Sequence, residues 1–276
     1  MNTIKINWKE YFDNSCKGED MWGHYKTVRG DLYVVADGVS NHEGTRTGGD
    51  VARLITDRLE QNADRIRHRG DLKDLLYEIN TESTKVNEGA FAAIAGILHW
   101  NDKLYGFGAG DVSIIAKKAN GKLLLVLPLD LSMPREEAER LARAEIGTTI
   151  KNVLITKDNY LMRVEQYLRH GLSNAIGLGD DFHLHAHKFN AKPDTAILLA
   201  SDGITDPFMK PQTEHGKIAE EDAPKLYEVF NSANNAGDAA DALEDLFWTT
   251  QVTERTKIKQ DDRTGIFFYM DAAEDN

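Results

Sequence analysis

The chain has 276 residues, of which 41% are hydrophobic, which is enough apolar content for one large domain or two small ones. Its formal net charge of -12 argues against nucleic acid or an anionic membrane surface as the main partner. The longest apolar run, Leu123 to Leu129, is interrupted by Pro128 and is far too short to span a bilayer.

The cysteine content and the N-terminal residues bear on the compartment. Cys16 is the one cysteine, so no internal disulfide can form, which suits a reducing compartment. Its thiol is expected to be buried or inert, because no acid–base partner stands near it in the sequence. The first residues, Met1 to Asn7, lack the long apolar core of a signal peptide. The sequence therefore predicts a soluble cytoplasmic protein.

Hydrophobic periodicity predicts the order of the strands and helices. Short apolar or alternating runs predict strands at 3–12, 22–28, 31–36, 91–99, 103–109, 112–118, 122–128, 183–190, 195–200 and 264–270. Apolar residues at helical spacing predict helices at about 48–63, 71–87, 135–144, 158–169, 220–231 and 237–250. Four strands in succession form a meander, which is typical of antiparallel sheets. Since the helices arrive in pairs, the pattern predicts an α+β fold.

The specific arrangement expected is a four-layer α-β-β-α sandwich, in which two antiparallel sheets are flanked by helix pairs. No linker rich in Pro, Gly or Ser divides the sequence, which favours a single domain over residues 1–276.

Two of the predicted strands end in the same way, with an apolar run followed by Asp-Gly. These stretches are Leu32 to Gly38 and Ile197 to Gly203. Neighbouring strands lie about 4.8 Å apart, so carboxylates at two strand ends can meet at one point. Such carboxylates repel one another unless a cation lies between them, and Mg²⁺ or Mn²⁺ takes oxygen ligands. A plain turn explains one Asp-Gly alone, but further acidic signals stand at Glu19-Asp20, Gly110-Asp111 and Asp261-Asp262.

Six segments between about residues 15 and 270 resemble motifs of the metal-dependent, type 2C serine/threonine protein phosphatases, in the order of that family, including its bacterial members. They are Val35-Ala36-Asp37-Gly38 with Asn41-His42, Gly108-Ala109-Gly110-Asp111, Leu129-Asp130-Leu131-Ser132, Leu172 to Gly177, Leu198 to Asp206, and Asp261-Asp262-Arg263-Thr264. Any one segment is weak evidence, but six in order form a specific signal. The fold of that family agrees with the order of elements predicted above.

The resemblance implies the catalytic and metal-binding residues. Asp37 would bridge two metal ions, and Asp202 and Asp261 would complete the ligands of one of them. These three acids are therefore the implied catalytic set. Glu19 and the Gly38 carbonyl would hold the other ion. The implied cofactor is a pair of Mg²⁺ or Mn²⁺ ions, which activate a water for in-line attack on phosphorus.

Two further acids have implied places near this pair of ions. Asp20 would lie beside Glu19 and the Gly38 carbonyl. Asp111, with Asp202, would match a third, weaker metal position of the family.

The phosphate-binding positions depart from the family pattern. Members usually carry an arginine five residues before the acid that matches Asp20, and here that residue is Ser15. Lys17, Arg46 or His42 could bind the substrate phosphate instead, although lysine is a point charge and less directional than arginine. The alternative for Lys17 and Arg46 is a solvated surface charge, and for His42 a structural or exposed position.

Two features of the sequence stay without a defined role. His183, His185 and His187 alternate along a predicted strand, where a pair spaced by two can hold zinc. The three side chains together span too great a distance to bind one ion. The alternative is that they form a solvated face of the strand. In the family, the region that corresponds to residues at about 131–172 forms a flap near the active site. Here this segment is either such a flap or a variable surface loop.

The sequence predicts a phosphoprotein phosphatase, a phosphoric monoester hydrolase that acts on phosphoserine and phosphothreonine in signalling. Its partners would be a phosphorylated protein and a cognate serine/threonine kinase, and neither nucleic acid nor membrane. Two alternatives remain open. One is a pseudophosphatase that binds a phosphoprotein or partner without turnover, which Ser15 and Val39 favour because the family often has arginine and histidine there. The other is a phosphomonoesterase of small molecules.

Overall fold

The computed structural model describes residues 4–40, 47–86, 89–100, 103–131, 135–149, 160–161, 164, 172–179, 182–190, 192–209, 216–253 and 261–272. The chain forms two compact units. The larger comprises Met1–Leu129 and Asn174–Asn276, and the smaller is Asp130–Ser173. Among the described residues, no helix combines the length and the apolar character that a membrane crossing needs.

The larger unit contains two antiparallel sheets. The first has six strands in the order β1, β11, β9, β6, β7, β10. These are β1 (Ile4–Asp13), β6 (Ser113–Lys117), β7 (Leu123–Leu125), β9 (Thr195–Ala200), β10 (Gly216–Lys217) and β11 (Arg263–Ala272). The second has five strands in the order β2, β3, β4, β5, β8. These are β2 (Met21–Lys26), β3 (Gly30–Val39), β4 (Phe91–Trp100), β5 (Lys103–Ala109) and β8 (His185–Asn190).

Aromatic side chains join the inner faces of the two sheets. Tyr33 of β3 meets Phe268 of β11 edge to face, with ring centroids 4.8 Å apart. Trp8 of β1 contacts His24 and Tyr33 of the other sheet, at 4.8 and 5.4 Å. Such aromatic pairs stabilise beyond their buried area.

A pair of helices covers the outer face of each sheet. On the five-stranded sheet these are α1 (Gly48–Asn62) and α2 (Arg69–Val86), whose buried face includes Ile55 and Leu76. On the six-stranded sheet they are α5 (Pro224–Ser232) and α6 (Ala236–Thr253), which bury Phe230. Apolar residues at helical spacing create these faces. The α+β fold predicted from the sequence is confirmed, and the layers run helix, sheet, sheet, helix.

The short helix α4 (Asp202–Thr205) and the smaller unit complete the chain. In that unit α3 (Arg135–Thr149) buries Ala138 and Ala142 together with Val164. Residues 160, 161 and 164 are helical, and the rest of the helix predicted at 158–169 lies outside the described residues. The smaller unit has nearly the bounds of the segment predicted at about 131–172, whose role stays a prediction.

The structure corrects three local predictions. The strand predicted from 183 begins at His185, because the Asn174 side chain bonds both the N–H and the carbonyl of His183. The helix predicted from 220 begins at Pro224, since a 3₁₀ turn, Glu220–Asp222, precedes it and proline suits a first helical turn. Cys16 is exposed, which excludes burial, and the expected inertness of its thiol stays a prediction.

Candidate metal centre

Strand register brings Asp20 and Asp37 together in the five-stranded sheet. Met21 of β2 pairs with Ala36 of β3, so Asp20 lies opposite Asp37 at the next position of this antiparallel pair. Asp37 in turn pairs with Ala93 of β4. Both carboxylates are buried, with 2% of Asp20 and 9% of Asp37 exposed.

The six-stranded sheet delivers its acids to the same end of the sandwich. Ser113 of β6 pairs with Ala200 of β9, and Asp111 and Asp202 each lie two residues beyond this last pair of the ladder. Asp261 directly precedes β11, the other neighbour of β9. The two sheet ends meet where the Asp202 N–H approaches Oδ2 of Asp37 at 3.4 Å.

Glycines allow the close approach of backbone at this edge. A Cβ on Gly38 would lie 2.3 Å from the carbonyl carbon of Gly48, at the start of α1. Gly110, before Asp111, has a φ of +100°, and a Cβ there would lie 2.5 Å from that of Ala93. Both positions therefore require glycine.

Asp20 has the most perturbed carboxyl group of the cluster. Burial raises the pKa of Asp20 to about 7 against the opposing effect of hydrogen bonds with Ser201 and Thr264, and the charges of Asp202 and Asp262 add to the rise. Its Oδ2 atom is buried and has no hydrogen-bond partner among the described residues. A buried carboxylate oxygen among like charges is the environment that a divalent cation relieves. These acids therefore fit Mg²⁺ or Mn²⁺, which both prefer oxygen ligands.

Glu19 is held by a serine and the start of α1. The Ser40 hydroxyl donates to Oε1 of Glu19, and the Gly48 N–H donates to Oγ of Ser40 at 2.9 Å. Sequence reasoning missed Ser40, because no local pattern marks it.

Asp262 binds the backbone of the loop that carries Glu19. Its Oδ1 accepts from the N–H groups of Cys16 and Lys17, at 3.0 and 2.9 Å. Its Oδ2 accepts from the Glu19 N–H at 2.8 Å, and only 1% of Asp262 is exposed. Asn14 acts similarly on Asp20, since its side-chain amide bonds both the N–H and the carbonyl of that residue. The sequence indicated neither role.

The predicted phosphate-binding residues have different outcomes. The Lys17 ammonium lies 3.0 Å from Oδ1 of Asp261, so this cation is beside the acidic cluster. The Ser15 hydroxyl instead donates to Oδ1 of Asp13 at 2.5 Å. His42 and Arg46 lie outside the described residues.

The alternating histidines do not act as one group. The rings of His183 and His185 meet edge on, with centroids 4.7 Å apart. His187 instead stacks on Phe189 at 6.2 Å. His187 thus has a different ring partner from the other two histidines.

Solved structures with the same architecture identify the fold. PppA, described as a key regulatory component of T6SS in Pseudomonas aeruginosa, matches with a TM-score of 0.64 and 17% identity, over 96% of this chain and 97% of that one. The serine/threonine phosphatase PstP/Ppp of Mycobacterium tuberculosis matches with a TM-score of 0.63 and 17% identity, over 96% and 99% of the two chains. This chain has the fold of the bacterial serine/threonine phosphatases. The fold implied by the sequence motifs is thereby confirmed.

A third matching structure contains metal ions. The catalytic domain of PstP in complex with two manganese ions matches with a TM-score of 0.62 and 18% identity, over 98% of this chain and 100% of that one. No family model and no curated protein sequence matches this chain. The activity must therefore be argued from the acidic cluster itself.

Proposed function

We propose that this chain is a metal-dependent phosphatase that hydrolyses phosphoserine and phosphothreonine in proteins. The observation that carries the proposal is the convergence of Asp20, Asp37 and Asp202 at one end of the two sheets. The fold of the bacterial serine/threonine phosphatases supports the same activity.

In the proposed centre, Asp37 would bridge two divalent cations. Asp202 and Asp261 would complete the ligands of one, and Glu19 with the Gly38 carbonyl those of the other. Bound Mg²⁺ or Mn²⁺ would lower the pKa of an attacking water and neutralise charge on the phosphoryl oxygens.

Two more acids extend this centre. Asp20 would lie beside Glu19, where its unpaired Oδ2 is available to a cation or to a bound water. Asp111 and Asp202, which each lie two residues beyond the last pair of β6 and β9, would form a third and weaker position.

The surrounding residues of the chain would position the ligands and the substrate. Asp262 and Ser40 hold Glu19 from two sides, so its carboxylate is oriented before a cation binds. Lys17, whose side chain is half exposed beside Asp261, would attract the phosphoryl group of the substrate. Its single charge would orient that group less strictly than an arginine.

The proposed substrates are phosphoproteins, and a cognate serine/threonine kinase would produce them in the cytoplasm. A pseudophosphatase is the second candidate, and a specific contact favours it. Ser15, at the position of the usual phosphate-binding arginine, is bonded to Asp13 and supplies no cation. A small-molecule phosphatase would use the same centre and differ in its substrate.

The test is hydrolysis of p-nitrophenyl phosphate and of a phosphothreonine peptide, with Mn²⁺, with Mg²⁺ and with EDTA. We expect turnover that requires the metal, prefers the peptide and disappears in Asp202→Asn. The matched control is Asp241→Asn, which removes the same charge from an exposed position on α6. Metal binding without turnover of either compound would favour the pseudophosphatase, and turnover of p-nitrophenyl phosphate alone the small-molecule enzyme.

A further inference from the structure

A second concave region lies at the opposite end of the five-stranded sheet from the acidic cluster. It is here called the α2 cavity and consists of two adjoining hollows of about 350 and 460 Å³, which share Arg69, Tyr105 and Lys188. Leu98 of β4 lines it, five residues from Ala93, the partner of Asp37. At 3.3 Å per residue, this separation is roughly 16 Å along the strand.

The floor of the α2 cavity is apolar and aromatic. Leu72, Leu98 and Phe107 line it, and all three belong to the buried core between α2 and the sheet. Tyr105 is partly buried at its side, and Trp100 lines the adjoining hollow. Flat rings and apolar side chains of this kind bind aromatic groups.

The rim of the α2 cavity is cationic, although the chain as a whole is acidic. Arg69 and Lys73 come from the first turns of α2, and Lys188 comes from the edge strand β8. No carboxylate is among the described residues that line it. Two acids of α2 are close to these cations in sequence. Asp71 accepts from the N–H groups of Arg67 and His68 at 2.8 and 3.1 Å, and Asp74, which follows Lys73, lines a separate hollow.

Two of the three rim cations have an aromatic neighbour, and none of the three forms an ion pair within the described part of the chain. The Lys73 ammonium lies 5.5 Å from the ring centroid of Tyr77, and that of Lys188 lies 6.0 Å from the ring of Tyr105. No carboxylate of the described residues therefore balances these charges, and an anion bound at the rim would balance them.

We propose that the α2 cavity binds a small molecule composed of an aromatic ring and one anionic group, such as a phosphate, sulfonate or carboxylate. The ring lies beside Tyr105 and Trp100, which are both partly exposed, and the anion faces Arg69 and Lys188. The volume is in the range of small-molecule sites. This binding does not depend on the proposed phosphatase activity, because it uses none of the acidic residues.

The test uses naphthalene-1-sulfonate as the probe, with calorimetry and tryptophan fluorescence in the presence and absence of Mn²⁺. Neutral 1-naphthalenemethanol and the small anion methanesulfonate separate the contributions of the ring and the charge. We expect the sulfonate to bind about tenfold more tightly than either, because only it uses both floor and rim. Trp100→Phe should remove the fluorescence change, whereas Trp248→Phe, at an exposed position of α6, should preserve it.

Charge variants locate the site. Arg69→Gln and Lys188→Gln should each weaken the sulfonate about tenfold, as the loss of one charged hydrogen-bond donor predicts. Lys85→Gln, an equal charge change at the exposed far end of α2, should have no effect. Equal weakening in all three variants would mean unspecific attraction and overturn the proposal. Absence of binding, or binding that requires Mn²⁺ and survives Lys188→Gln, would overturn it as well.

Discussion

Replacement of Asp262 by asparagine tests the idea that a buried carboxylate organises the loop of Glu19. Asp262 accepts three backbone hydrogen bonds, two at Oδ1 and one at Oδ2. An asparagine has one acceptor oxygen, so its amide nitrogen would face an N–H donor at one of these positions. If the oxygen stays with Cys16 and Lys17, the Glu19 N–H loses its partner.

The expected cost follows from that unpaired group. A buried N–H without a partner costs about 1–3 kcal/mol, and the two remaining bonds lose the assistance of the charge. For a chain of this size, that loss lowers the melting temperature by roughly 2–10 °C. Because Glu19 is a proposed ligand, we also expect weaker Mn²⁺ binding.

Thermal unfolding and calorimetric titration with Mn²⁺ measure the two effects. Asp271→Asn, at an exposed position of the same strand β11, is the matched control and should leave both quantities unchanged. An Asp262→Asn protein that melts and binds Mn²⁺ like the control would refute the reasoning, because the three backbone bonds would then need no carboxylate.

Three further predictions concern other parts of the chain. Gly38→Ala places a Cβ 2.3 Å from the carbonyl carbon at the start of α1, so we expect a loss of more than about 3 kcal/mol in urea unfolding. Ion pairs with Lys26 and His24 lower the pKa of Asp31, despite the opposing effect of its burial. Asp31→Asn should therefore cost about 1 kcal/mol at pH 7, and the difference should shrink as pH falls through the lowered pKa. Ser15→Arg should lower the Michaelis constant for a phosphopeptide, measured by initial rates.

Each of these has an outcome that contradicts it. A Gly38→Ala protein of normal stability would mean that α1 can move away at little cost. A constant difference between Asp31→Asn and the parent protein down to pH 2 would exclude the carboxylate charge as its cause. No change in Ser15→Arg would mean that another residue, such as Lys17, already binds the phosphate.

The sequence by itself determined the elements and the end of the sheets at which the acids gather. The spacing of apolar residues is a local property of the sequence. Strands such as β4 and helices such as α1 can therefore be predicted from short stretches of chain. Asp202 follows the end of β9, as the apolar run before it predicts, but Asp37 lies within β3, which continues to Val39, so the strand end predicted before Asp37 is wrong. The implied metal roles of these acids remain proposals.

Only the tertiary structure decided which groups hold those acids in place. Asp262 contacts residues 243 to 246 positions away, and Ser40 contacts Glu19, 21 positions away, with the paired strands β2 and β3 between them in the chain. The pairing of Lys17 with Asp261 and the convergence of α2 and β8 around one cavity are equally remote in sequence. Such contacts leave no periodic trace, because they depend on how packed sheets and helices align distant segments, and one sequence carries no local record of that alignment.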